Sequence, residues 1–268
     1  MNTMNLAINQ TEFQKFKNWF SGYAFSFKGY DSALTENTNL KEKHTYKVCE
    51  AILDIGKSIF LNEEELILAE TVALFHDVGR FEQYKRFGTF MDSKSVNHSE
   101  LGIEVLVREK VLDIIASETK DLIIKAIRYH NQARLPESEN EECLLFSRLV
   151  RDADKLDIYR VVSEYYAEQK QGRKNKAIEL DLPDTQSVSD EVVMAVINRK
   201  IVSFKDVKSL NDFKILQLAW IYDINFSFTS RRIKNEKYLD KIWDSMKEAS
   251  IDPYIFLLVS EHINKNIS

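Results

Sequence analysis

Histidine is scarce in this chain, and its placement is the first chemical signal. Of five histidines in 268 residues, His44, His76, His98 and His130 fall in the first half, each at or near the end of an expected helix, and only His262 lies elsewhere. Asp77 follows His76 directly, and Arg151-Asp152-Ala153-Asp154-Lys155 adds carboxylates further on. Neutral imidazole and carboxylate are the ligands that hard-to-borderline divalent ions prefer. No thiolate stands among them, which argues against a structural Cys-rich zinc site. Neighbouring helical residues point about 100° apart, yet at a last turn His76 and Asp77 can both reach an ion beside the helix end. A carboxylate can bridge two ions where an imidazole nitrogen cannot, so Asp77 is the bridging candidate. Asp154 follows Ala153 on the apolar side of its helix, whereas Asp152 is expected on the polar, solvated side.

The elements that must position these groups read as helices. Thr11 to Phe20 sets Phe13, Phe16, Trp19 and Phe20 on one face, and Lys41 to Phe60 does the same with Val48, Ile52, Ile55 and Ile59. Glu63 to Asp77 is a helix that Gly79 is expected to end. Arg80 to Ser95 has no clear period and reads as a functional loop, with Glu82 and Tyr84 as pocket-lining candidates. Asn97 with Glu100 forms a capping-box pattern. Leu122 to His130 and Cys143 to Tyr159 follow as helices, separated by a solvated acidic loop, Glu137 to Glu142. Shorter helices are expected at Asp190–Lys200, Asn211–Tyr222, Glu236–Ala249 and Pro253–Lys265. Cys49 and Cys143 sit in apolar helical patterns and read as small buried hydrophobes.

The ordered set His44, His76-Asp77, His98, His130 and Asp154 resembles the HD superfamily of metal-dependent phosphohydrolases. The likeness extends to Ala73-Leu74-Phe75-His76-Asp77-Val78-Gly79-Arg80, Asn97-His98-Ser99-Glu100-Leu101-Gly102, Ile127-Arg128-Tyr129-His130 and Asp152-Ala153-Asp154-Lys155-Leu156. It implies an all-α fold over residues 44 to about 157. The change of texture beyond Tyr166 separately sets a soft boundary near residues 170–185, so a helical bundle over 1–170 with a helical extension over 171–268 is expected. The resemblance also implies one divalent ion held by His44, His76, Asp77 and Asp154. A second would be held by His98 and His130, with Asp77 bridging. Arg80 stands where the family commonly has lysine; it stays cationic as a fork, suited to phosphate contact rather than proton transfer. Arg80 and Arg128 are the expected phosphate contacts, with Lys155 a further one, and Asp77 joins them as a catalytic residue.

The expected reaction is hydrolysis of a nucleotide or other small phosphoester by metal-activated water, with Mn, Fe, Co, Mg, Zn or Ni as the ion. Two other readings use the same ligands: a di-iron oxygenase of HD type, and a regulatory or binding module that keeps its metal. A formal net charge of -5 argues against a nucleic-acid duplex as partner. Hydrophobic residues at 44% and charged residues at 29% fit a globular chain, and 7 Gly with 3 Pro lean towards helix. Neither a signal peptide at Met1–Gln10 nor an apolar run of membrane length is visible, so a cytoplasmic protein without a membrane partner is expected. Trp220, Tyr222, Phe226 and Phe228 are compatible with a homodimer face, although burial within the chain is the preferred reading.

Overall fold

The computed structural model describes residues 7–169, 175–246 and 251–267, and those residues contain helices and no strand. Two compact units divide the chain, Met1–Asp154 and Lys155–Ser268. The boundary expected at residue 170 lies outside the described residues.

The first unit is built from α1 (Gln10–Phe25), α2 (Ser32–Ser58), α3 (Glu63–Phe75), α4 (Gly79–Phe87), α5 (His98–Arg108), α6 (Ser117–His130) and the start of α7 (Glu141–Gln169). Asn9 with Glu12, and Asn62 with Glu65, close reciprocal capping boxes that satisfy the first amide groups of α1 and α3. Phe13, Phe16, Phe20 and Ala24 recur at helical spacing and are buried. The Phe75 ring meets Phe16 edge-on at 5.4 Å and Trp19 at 5.9 Å. Burying such a ring contributes roughly 1.5–3 kcal/mol. Because Phe75 immediately precedes His76, this packing also fixes the end of α3 that carries the site.

Five details depart from the sequence expectations. Helix α2 begins at Ser32, with Asp31 accepting from the Leu34 amide, so His44 lies in a helix middle rather than near an end. The stretch expected as a loop from Arg80 is α4 as far as Phe87, ended by Gly88 in the left-handed region at φ 65°. Its period was masked because the inward positions include polar Gln83, which is fully buried. Gly79 does not end a helix; it opens α4 and serves close approach. A Cβ there would stand 2.0 Å from the His98 carbonyl oxygen and 2.6 Å from the Gly102 nitrogen, so α4 and α5 meet backbone to backbone. Asp152, expected in solvent, is completely buried. Asn97 caps α5 as expected, but Glu100 turns to Arg128 instead of back to the cap.

The second unit takes the rest of α7, a short α8 (Lys176–Glu179), α9 (Asp190–Ile197), α10 (Leu210–Ala219), α11 (Ser227–Asn235), α12 (Tyr238–Asp244) and α13 (Tyr254–Lys265). Helix α11 was not anticipated, and residues 247–249 of the expected Glu236–Ala249 helix lie outside the described residues. Helix α10 is its buried centre: the Tyr159 hydroxyl donates to the Gln217 carbonyl at 2.8 Å and the Tyr166 hydroxyl to Gln217 Oε1 at 3.0 Å. Trp220, Tyr222, Phe226 and Phe228 are all half-buried. Cys49 and Cys143 are free thiols, both buried. Among the described residues no helix is long and apolar enough to cross a membrane.

Candidate metal centre

Every residue that the sequence singled out as a metal ligand lies in the first unit, and five separate stretches of backbone deliver them. Helix α2 supplies His44, the junction of α3 and α4 supplies His76 and Asp77, and α7 supplies Asp154. His98 is the first residue of α5 and His130 the last of α6. His44, His76, His98, His130 and Asp77 are buried, and Asp154 keeps 18% of its side chain exposed.

Their donor atoms form two sets that share Asp77. His44, His76 and Asp77 bring ligand atoms within 4.8 Å of one another, and so do Asp77, His98 and His130. Asp77 Oδ2 lies 3.6 Å from His44 Nε2 and 3.7 Å from His76 Nε2. Asp77 Oδ1 lies 3.4 Å from His98 Nε2 and 3.9 Å from His130 Nε2. One oxygen of the same carboxylate therefore faces each set. Asp154 Oδ1 joins the first, 3.1 Å from His44 Nε2 and 3.6 Å from His76 Nε2. Most of these separations are long for N–H···O hydrogen bonds, whose usual length is about 2.9–3.0 Å. They suit ligands gathered at about 2.0–2.2 Å around a common ion, which stand roughly 3–3.5 Å from each other.

Hydrogen bonds on the far side of each ring set the tautomers. His76 Nδ1 donates to the Ala73 carbonyl at 2.7 Å and His130 Nδ1 to the Ile127 carbonyl at 2.6 Å; a carbonyl oxygen can only accept. His98 Nδ1 donates to Asp92 Oδ2 at 2.7 Å. In each neutral ring Nε2 is left with a bare lone pair aimed at the site, the arrangement that metal-ligating histidines use. His76 Nε2 is buried without a hydrogen-bond partner. Such an orphaned acceptor fits a cation.

Electrostatics favour the same protonation states. Burial pushes the His130 pKa down to about 3, helped by neighbouring His98 and His76. Burial and the Arg80 charge lower His98 against the opposing pull of Asp92. For Asp77 burial acts upward, but Lys41, His76, Arg80 and His98 outweigh it and hold the carboxyl well below its usual range. Asp154 is likewise held low, its burial outweighed by the influence of the neighbouring His44 and His76 rings. These directions favour neutral imidazoles at His98 and His130 beside ionised Asp77 and Asp154.

The expected phosphate contacts fare differently. Arg80 Nη1 is engaged with Gln83 Oε1 at 2.8 Å, the Phe90 carbonyl at 2.5 Å and Asp92 Oδ1 at 2.9 Å, while its buried Nε stands 3.5 Å from Asp77 Oδ1. Arg80 is built into the wall. Arg128 points its fork at Glu100, at 2.7 and 3.2 Å. Lys155 pairs with Asp223 at 2.7 Å in the second unit. Glu82 pairs with Arg86 and Arg108, and Tyr84 packs on Phe90. His262 packs against Tyr222 and contacts Asn266, far along the chain from the cluster.

Two residues that contact the centre escaped the sequence reading. Lys41 Nζ reaches Asp77 Oδ2 at 2.7 Å, and Asp92 holds His98 in place. Lys41 could have been found, since it precedes His44 by one helical turn and must share its face. Asp92 lies six residues before His98 and opens a single 3-10 turn, Asp92–Lys94, too short for a periodicity to report on direction.

Comparison with known proteins agrees with this geometry. No curated protein and no solved structure matches the chain. A match does exist at the level of families, and it encloses every residue of the cluster from His44 to Asp154: residues 42–159 are an HD domain.

Proposed function

We propose that this chain is a metal-dependent phosphohydrolase that acts on a nucleotide or another small phosphoester. The observation that carries the reading is the division of Asp77, one oxygen towards His44 and His76 and the other towards His98 and His130, with the bare Nε2 lone pairs of His76, His98 and His130 turned to the same centre. His44, His76, Asp77 and Asp154 would hold one ion and His98, His130 and Asp77 a second. A divalent ion held there would supply Lewis-acid chemistry, which lowers the pKa of bound water from about 15.7 towards about 7. The protein's own part is to orient. Ala73, Ile127 and Asp92 fix the imidazole tautomers, and Phe75 fixes the backbone that carries His76 and Asp77. Arg80 fixes Asp92 and Asp77 together. No serine or cysteine nucleophile is required.

The test is release of phosphate from a panel of nucleotides, sugar phosphates and generic phosphoesters with Mn²⁺, Co²⁺, Fe²⁺ or Mg²⁺, with Asp77→Ala run in parallel. Turnover that needs metal and disappears in the variant supports the reading. A native chain that carries metal and releases no phosphate, but takes up O₂ with iron bound, makes it an oxygenase instead; a metal-loaded chain silent in both assays points to a binding module.

A further inference from the structure

Resting on the phosphohydrolase reading, we propose that Lys41 is the side chain that binds the substrate's phosphate. The two arginines first expected in that role are occupied. Arg80 has its outer nitrogen shared among Gln83, Phe90 and Asp92, and Arg128 spends its fork on Glu100. Lys41 is placed otherwise. Helix α2 sets it one turn before His44, and its side chain is 16% exposed while the Asp77 carboxylate it touches is 4% exposed. Lys41 thus keeps more contact with solvent than the carboxylate it touches, and its ammonium stands 5.4 Å from the centre of the Phe90 ring.

Its present partner matters more. Lys41 Nζ lies 2.7 Å from Asp77 Oδ2, the same oxygen that faces His44 and His76. A carboxylate oxygen that serves a divalent cation is a poorer acceptor, and the ammonium beside it then feels like-charge repulsion. Lysine carries a compact charge and three donors on a flexible stem, so it can turn from one anion to another without leaving the site. Asp77 uses one of those donors; a phosphate oxygen at the edge of the cluster is the natural acceptor for the others. An arginine wedged into the wall cannot make that movement.

The experiment compares the full-length native chain, Lys41→Met, Lys41→Gln and Lys41→Arg, each loaded with Mn²⁺. Metal content is measured by atomic emission and inorganic phosphate binding by calorimetry, a readout independent of turnover. The expected result is unchanged metal per chain in all four, phosphate binding at least tenfold weaker in the two uncharged variants, and partial recovery in Lys41→Arg. With a substrate in hand, KM should rise by more than kcat falls. Native-like phosphate affinity in the uncharged variants overturns the assignment of Lys41 and leaves the phosphohydrolase reading standing. Loss of metal or of folding in both uncharged variants also overturns it, because Lys41 would then be a structural counterion of Asp77. Absence of phosphate binding by the metal-loaded native chain overturns both readings together.

Discussion

His98 Nε2 and His130 Nε2 face each other at 3.1 Å, although each ring has already given its Nδ1 proton to an oxygen. Two bare lone pairs at that distance repel unless a cation stands between or beside them. Asp77 Oδ1, on the same side, makes a divalent ion the better cation than a proton. The shared carboxylate then predicts an asymmetry in metal content. His98→Ala and His130→Ala each remove one ligand from one set and should lower metal per chain by about one. Asp77→Ala touches both sets and should lower it towards zero. Equal losses in all three would contradict a bridging role. Chelation should lower stability as well, by about 2.7 kcal/mol when the free ion had been at 100 times its Kd.

Asp92 should tune only one of the two sets. It accepts from His98 Nδ1 at 2.7 Å, Arg80 Nη1 at 2.9 Å and Gln83 Nε2 at 2.8 Å, and its carboxyl is held low by that hydrogen bonding and by the Arg80 charge despite burial. Groups that orient a ligating histidine typically affect metal affinity by about 10–100-fold. Asp92→Asn keeps the shape but loses the charge. It should weaken the ion at His98 and His130 by that factor and leave the one at His44, His76 and Asp154 as it was. Titration calorimetry would resolve the two events, and equal weakening of both would refute the selective role.

Gly79→Ala should be among the more damaging small changes. Its new methyl would meet the His98 carbonyl oxygen at 2.0 Å and the Gly102 nitrogen at 2.6 Å, both backbone atoms that cannot rotate away. Overpacking of this kind costs about 1–3 kcal/mol, and here it also pushes on the residue that carries a ligand, so metal affinity should fall with stability. Gly22→Ala is the control. It lies within α1 with nothing inside 4 Å of the new Cβ, and should stabilise by up to about 1 kcal/mol. Denaturant titration of both variants, with and without metal, separates the two effects; an unperturbed Gly79→Ala would mean that α4 and α5 are not held in contact.

What the sequence made legible divides along physical lines. Amphipathic helices with apolar stripes, such as α1 and α3, were readable because burial of Phe13, Phe16 and Phe75 imposes the period. The six cluster residues were readable because ligand chemistry restricts residue type. Helix α4 was not, since its inward face mixes Phe81 with buried Gln83, which is satisfied by Asp92, Ser95 and Val96. Burial of a polar side chain depends on partners remote from its own turn, and no local pattern announces them. Arg80 was identified as a cation near the site, but its commitment to the Phe90 carbonyl and Asp92 arises only when the chain doubles back.

The second unit offers a prediction about charge rather than metal. Lys214 is 5% exposed, donates to the Ser245 carbonyl at 3.1 Å and lies 4.8 Å from the Tyr166 ring centre. Burial lowers its pKa below the ordinary 10.5, against the raising influence of Asp184 and Glu179. Between the folded value and 10.5 the unfolded chain holds more protons than the folded one, so this group's contribution to stability must increase as pH rises through that window. Lys214→Met removes the term while keeping much of the side chain's volume. Stability measured by denaturant at several pH values from 7.5 to 10.5 should therefore show the native chain gaining on the variant as pH rises. Every other titrating group is common to the two proteins, so it cancels in the difference. Parallel curves across the range would mean that the Lys214 ammonium is as well solvated in the folded chain as in the unfolded one.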